Sequence, residues 1–280
     1  MVKVKEHSKY YLYDAKEAFS RYLTKSKKIK WLTVAMLGCL LIGILFKIFH
    51  LNIGFSFWGM VILYWMIIVG YRVSGFIRFS ELAEILTVDC DPYKYYEILS
   101  FIKQRDKKGK AKNNLMLYQA QCCIRMRGHM EEGLSYIQQV SFKKKVFNRE
   151  CTRLVVSAYY YFALKDDENY KSVKHELENL PQNLKMSKRD KAVYDEAIEM
   201  LHIKELINSE NIEEARPLLL RRMEQAQLKQ DLVVYHIQLA TLDIHLGELV
   251  NAKAHLQYVV DYGNRLLIAE EAKEMLKQYE

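Results

Sequence analysis

Proline is scarce in this 280-residue chain, at three residues, and glycine reaches only eleven. A sheet protein with many tight turns needs both, so almost no strand is expected. The five cysteines, Cys39, Cys90, Cys122, Cys123 and Cys151, form an odd set with two adjacent. That excludes a disulfide framework and fits a reducing compartment, and the spacing is not that of a metal-ligand motif.

Chemistry-bearing motifs are also missing. The chain has no glycine-rich phosphate loop, no nucleophile elbow and no paired histidines of the His-Glu-x-x-His type. His236, His245 and His255 come nearest to a cluster, but no two are three or four apart, as zinc on one helix face would require. Asp89 and Asp91 are explained by a helix start, and no nearby histidine activates Cys90. No catalytic residue, metal site or cofactor is therefore expected, and the chain does not read as an enzyme.

What remains is helix-forming: Leu, Lys, Glu, Ala and Tyr dominate, and a chain of this length can bury a large core unaided. The formal charge of +8 is unevenly placed. Residues 1–72 carry 11 basic against 3 acidic groups, and the rest carries 31 of each. The basic excess thus belongs to the N-terminal quarter, where anionic lipid is its natural partner.

That quarter also holds two apolar runs. Residues 31–49 contain eleven Leu, Ile, Val and Phe, with Lys47 near one end, and residues 51–71 carry no charge. Each is long enough to cross hydrocarbon. For the first, insertion is favoured by roughly 3–7 kcal/mol from those eleven side chains, and Lys47 can snorkel. His50 to Gly54 would form a tight turn, making the spans an antiparallel hairpin. Gly38, Gly43, Gly54 and Gly59 read as ordinary span composition rather than a packing motif. Basic residues flank the pair, with Lys25, Lys27, Lys28 and Lys30 before it and Arg72 and Arg78 after it. The bias predicts a two-pass plasma-membrane protein with both termini cytoplasmic and these six side chains at lipid headgroups. Residues 1–30 would be a basic cytoplasmic segment, with Leu12, Ala15, Phe19 and Tyr22 on one face of an amphipathic helix.

Residues 73–91 read as a juxtamembrane helix and linker, broken at Val88–Pro92, where Asp91 caps and Pro92 opens the next helix. From 92 to 280 apolar residues recur at helical spacing. The expected helices are 92–104, 114–127, 130–140, 148–164, 168–179, 187–208, 212–227, 231–246, 249–261 and 264–278. A unit repeats among them. Gly128 precedes Gly133 by five residues, and Gly247 precedes Ala252 by five. Ser209–Ala215 has the same form without the glycine, and Asp166–Val173 is a looser version. Glycine suits a left-handed helix terminus, and a small residue lets paired helices pack closely.

Gly247, Leu249 and Ala252 resemble the turn of the tetratricopeptide repeat. Positions 133, 173, 215 and 252 would then anchor degenerate units somewhat longer than the ~34 residues usual for it. The resemblance covers about 92–280, without the aromatic of the first helix in most units and without the unit-ending proline except Pro181. It implies an all-α solenoid behind the transmembrane hairpin, capped by the last helix, with a groove that receives peptides or partner helices. On this sequence the groove face falls on Tyr118, Cys122, Arg125, Val155, Tyr159, Phe162, Met200 and Lys204. Aromatics, a methionine and cations suit an extended apolar peptide with an acidic group; packing between hairpins is the plainer reading of any one of them.

Two basic runs fall in breaks between helices: Lys103 to Lys112, including Lys107, Lys108 and Lys110, and Lys143, Lys144 and Lys145 with Arg149. Solvated loops come first, contact with anionic lipid second. Nucleic acid is disfavoured, because interleaved aromatics are missing and the domain is neutral. The function expected is a membrane-anchored scaffold binding a protein or peptide. The alternative is a membrane-associated regulatory sensor responding to lipid or peptide through the spans and basic loops.

Overall fold

The computed structural model describes residues 4–48, 57–142 and 145–279. Among these the chain is all-α, with thirteen helices: α1 Ala15–Ile48, α2 Phe57–Thr87, α3 Pro92–Arg105, α4 Lys112–Cys123, α5 Met130–Gln139, α6 Phe147–Ala163, α7 Asp167–Glu178, α8 Leu180–Asn183, α9 Lys188–Asn208, α10 Ile212–Gln225, α11 Lys229–His245, α12 Leu249–Tyr262 and α13 Leu267–Gln278. They form two compact units, residues 9–84, and residues 85–280 together with the first eight.

In the first unit α1 and α2 lie side by side. Leu37, Leu40, Leu41 and Ile44 of α1 share a small apolar hollow with Met60, Val61 and Tyr64 of α2. At the other end Lys25 pairs with Glu81 at 2.9 Å. Among the described residues, one helix segment, Trp58–Thr87, is long and apolar enough to cross a membrane, with a mean hydropathy of 1.7 and only 11% of its most apolar stretch buried. The expected turn from His50 to Gly54 lies outside the described residues. Gly38 and Gly43 have nothing within 4 Å of where a side chain would start, so they mediate no close packing among the described residues.

Two N-terminal expectations change. The amphipathic segment is not a separate helix: α1 runs unbroken from Ala15, its face of Ala15, Ala18 and Phe19 is buried, and Leu12 is 87% exposed. Arg78 is buried, its Nε donating to the Ser74 carbonyl at 3.1 Å, so it does not reach headgroups. Arg78 lies on the face of α2 that packs, whereas Arg72 lies on an exposed one.

In the second unit the helices follow the expected order, most ends falling within a few residues of those read from the sequence. Asp91 caps α3, its side chain accepting from Lys94 N at 3.0 Å, with Pro92 in the first turn. Pro181 follows the α6–α7 hairpin and opens the short α8 before α9 begins. Four helix-to-helix turns share one backbone solution. Gly128, Lys165, Glu210 and Gly247 all have positive φ, between 56° and 77°. Three of these turns close with the same six-residue bond: Asp166 N to Tyr161 O, Asn211 N to Leu206 O, and Glu248 N to Asp243 O, at 2.8–2.9 Å. Five residues beyond each left-handed residue, Gly133, Tyr170, Ala215 and Ala252 are buried. The α6–α7 hairpin thus anchors on Tyr170, not on residue 173, and the Tyr170 hydroxyl donates to Glu205 at 2.8 Å.

The core is a succession of apolar clusters, each bridging adjacent hairpins. One joins α4, α5 and α6 around Met116 and Tyr160; the next joins α6 to α9 around Leu154 and Leu201. A third joins α9, α10 and α11 around Ile203 and Leu239. The fourth joins α11, α12 and α13 and also takes in Cys90, from the start of the array. The array therefore closes on itself. Arg265 N donates to Cys90 O at 3.2 Å, Leu267 N to Arg125 O at 2.9 Å, and Asn264 Nδ2 to Asp89 O at 2.7 Å. Arg127 pairs with Glu270 and Glu274 of α13. The turn before the last helix thus bonds back to the residues that precede α3 and follow α4.

Candidate functional site

Closure creates an inner hollow of about 660 Å³, in the range of ligand sites. Of the eight residues assigned to a groove, Arg125, Val155, Tyr159, Phe162, Met200 and Lys204 line it, contributed from the turn after α4 and from α6 and α9. Tyr118 and Cys122 do not. Cys122 is fully buried, and burial pushes its thiol far above the usual range. Tyr118 is half-buried elsewhere on α4, near Arg149. Both lie within α4, whereas Arg125 stands in the turn after it, and it is that turn which reaches the hollow.

The remaining lining was not read from the sequence. Gln230, Asp231, Val234 and Tyr235 come from α11, Leu267, Ile268 and Glu271 from α13, and Glu196 from α9. The turn at Gly247 had already marked α11 as the first helix of a unit, so its face was readable; the arrival of α13 depends on closure and was not.

The electrostatics are uneven. Lys204 Nζ sits over the rings of Tyr159 and Phe162, at 5.1 and 5.5 Å from their centres. Burial, with Arg125 adding to it, holds its ammonium below the ordinary lysine value. Arg125 is held in place: Nη1 donates to Gln121 O at 2.5 Å, and Nε and Nη2 reach the Gln230 side-chain oxygen at 2.8 and 3.0 Å. Asp231 is pushed up to about 6 by burial and by Glu196, and burial pushes Tyr159 up to about 12. A second hollow of about 520 Å³ shares Glu196, Asp231 and Tyr235 with the first. The acids thus stand where the two hollows meet, and Lys204 lines the larger one only.

Outside the hollow, α11 and α12 bring together two of the three C-terminal histidines. His236 Nδ1 and His255 Nδ1 are 2.7 Å apart, and Tyr258 stacks on His236 at 3.8 Å. Asp243, fully buried, lies 3.7 Å from His255 and 3.1 Å from Arg216. Burial lowers His236 to about 4. Among the described residues neither imidazole bonds a serine or cysteine.

The basic runs are divided. Lys27, Lys28, Lys30, Arg72, Lys107, Lys108, Lys110, Lys112 and Lys145 are exposed, while Lys25 is tied to Glu81. Lys143 and Lys144 lie outside the described residues. No protein-family model, curated protein or solved structure matches this chain.

Proposed function

We propose that the chain is a membrane-tethered adaptor whose helical, tetratricopeptide-like array takes up a segment of a partner protein. In this reading 31–49 and 51–71 cross the plasma membrane as a hairpin with both termini cytoplasmic. Support comes from the apolar surface of that region: Trp31, Leu32, Leu41, Trp58, Ile62, Trp65 and Met66 are each 58–73% exposed. Water disfavours so large a patch, and hydrocarbon would cover it.

The observation that carries the binding role is the half-buried cation Lys204, set over two aromatic rings and without an ion pair to a carboxylate among the described residues. A buried charge without a counter-charge costs stability, and an incoming acidic group would offset that cost. Because Glu196, Asp231 and Glu271 line the same space, the best-fitting segment has apolar side chains, one acid for Lys204 and one base for the acidic junction.

The test is crosslinking from the array in native membranes, comparing the intact chain with one carrying Arg125→Ala, Tyr159→Ala and Lys204→Ala. Loss in the variant of a protein captured by the intact chain supports the reading. Unchanged capture refutes the hollow as the binding site. If capture instead responds to neutralising Lys107, Lys108 and Lys110, the lipid-responsive regulatory role takes its place.

A further inference from the structure

The turn between α4 and α5 gathers three metal-binding side chains that are far from ideal spacing in sequence. Cys123 is the last residue of α4, His129 caps α5, and Glu132 lies in the first turn of α5. Gly128, at φ +77°, reverses the chain between them. One ligand atom from each, the Cys123 sulfur, a His129 ring nitrogen and a Glu132 carboxylate oxygen, lies within 4.8 Å of the other two. Around a tetrahedral zinc, with bonds of about 2.0–2.3 Å, such atoms stand about 3.3–3.8 Å apart, so shifts of about an ångström complete the geometry.

The surroundings are those of a supported site. Glu132 Oε1 accepts the hydroxyls of Tyr96 and Tyr136, at 2.5 and 2.9 Å, which fixes the carboxylate and leaves Oε2 facing His129 Nδ1 at 2.8 Å. Outer hydrogen bonds of this kind orient metal ligands and are much of what sets affinity. Cys123 is fully buried, and burial pushes its thiol up to about 12. His129 and Glu132 side chains are each 38% exposed, so the group has a buried sulfur at its base and a mouth open to solvent. A plainer role for Glu132 is to complement the α5 N-terminus, but that role needs neither the sulfur nor the two tyrosines.

We propose that Cys123, His129 and Glu132 bind a divalent transition-metal ion, with zinc best suited to the sulfur, nitrogen and oxygen donors, and with a solvent molecule in the fourth position. Binding would exchange the Cys123 proton for the metal, release it to solvent, and pin the end of α4 to the start of α5. The site stands apart from the hollow and does not depend on the adaptor reading.

The experiment uses the full chain purified in detergent, stripped with chelator and dialysed against zinc or cobalt(II). Expected are about one zinc per chain by elemental analysis, and a thiolate-to-cobalt charge-transfer absorption. Cys123→Ser, close in volume to the thiol, should abolish that absorption; His129→Gln, at a part-exposed position that leaves the core untouched, should weaken zinc retention at least tenfold. Helical circular dichroism should be kept in both. Failure of the native chain to retain zinc, or an absorption that survives Cys123→Ser, overturns the proposal.

Discussion

Replacing Gly133 by alanine tests the packing of α5 against α4 and α6, because the result is set by opposing effects of known size. Gly133 lies in α5 against α4 and α6. A methyl there would fall on the Tyr160 hydroxyl and stand 2.7 Å from Cys123 Cβ. Tyr160 is fully buried and donates to Ala120 O at 2.6 Å. Forcing an extra carbon into such a site costs about 1–3 kcal/mol. Displacing the hydroxyl forfeits about 1 kcal/mol more, since Ala120 O keeps its bond from Ile124 N. Alanine in a helix returns about 1 kcal/mol over glycine. The balance is a loss of about 1–3 kcal/mol, or a melting temperature lower by roughly 2–12 °C for a unit of this size. Thermal unfolding of the full chain in detergent, followed by circular dichroism, measures it. The mechanism is isolated by repeating the change beside Tyr160→Phe, where the cost should shrink by about 1 kcal/mol. Gly247 has open space around it and φ of +74°, so Gly247→Ala should cost about 1 kcal/mol whatever stands at 160. An unaltered or raised melting temperature for Gly133→Ala would refute the reasoning.

Two titrations in α11 should oppose each other. Asp231, raised from 3.8 to about 6, gives stability that is full below pH 4 and lost as pH rises through 6, worth roughly 3 kcal/mol; His236, lowered from 6.5 to about 4, gives stability present above pH 6.5 and lost as pH falls through 4, smaller because solvent still screens the ring. Urea titrations from pH 4 to 7 should show Asp231→Asn losing stability more steeply in acid and His236→Asn less steeply, and parallel curves would refute the assignment. Lys204→Met should raise the melting temperature while abolishing capture of the partner, since it removes a desolvated charge that the fold does not use; a lower melting temperature would show that the ammonium supports the fold. Asn264→Ala should cost about 1–2 kcal/mol, losing the bond to Asp89 O at a residue with φ of 47°, and Asn264→Gly less than that, both read by the same thermal scan.

Helical order was readable because each segment carries a local signal: the Asp91 cap, the glycine turns, the 3.6-residue apolar spacing. Glycine marks two of these four left-handed turns, and the Ser209–Ala215 pattern marks the one at Glu210 with its anchor Ala215; only the turn at Lys165 is read out of register, its anchor being Tyr170 rather than residue 173. Six of the eight groove positions share one hollow because helix periodicity fixes which side chains face together. Cys122 and Arg78 were misplaced because burial depends on what packs against a helix face, which periodicity does not reveal. The gathering of Cys123, His129 and Glu132 was passed over for a similar reason: their spacing matches no single-helix motif, and the turn at Gly128 brings them together in space.

The meeting of the last turn with the first also orders events during synthesis. Cys90 ends buried against residues of α11, α12 and α13, made some 140 to 180 positions later. Until those emerge, an apolar seam at the head of the array stays uncovered and the inner hollow has no far wall. Nearest-neighbour arrays can consolidate unit by unit as they leave the ribosome; this one must wait for its final helices. Any companion that shields the seam in the interval would act on a chain whose N-terminal apolar segments were made long before.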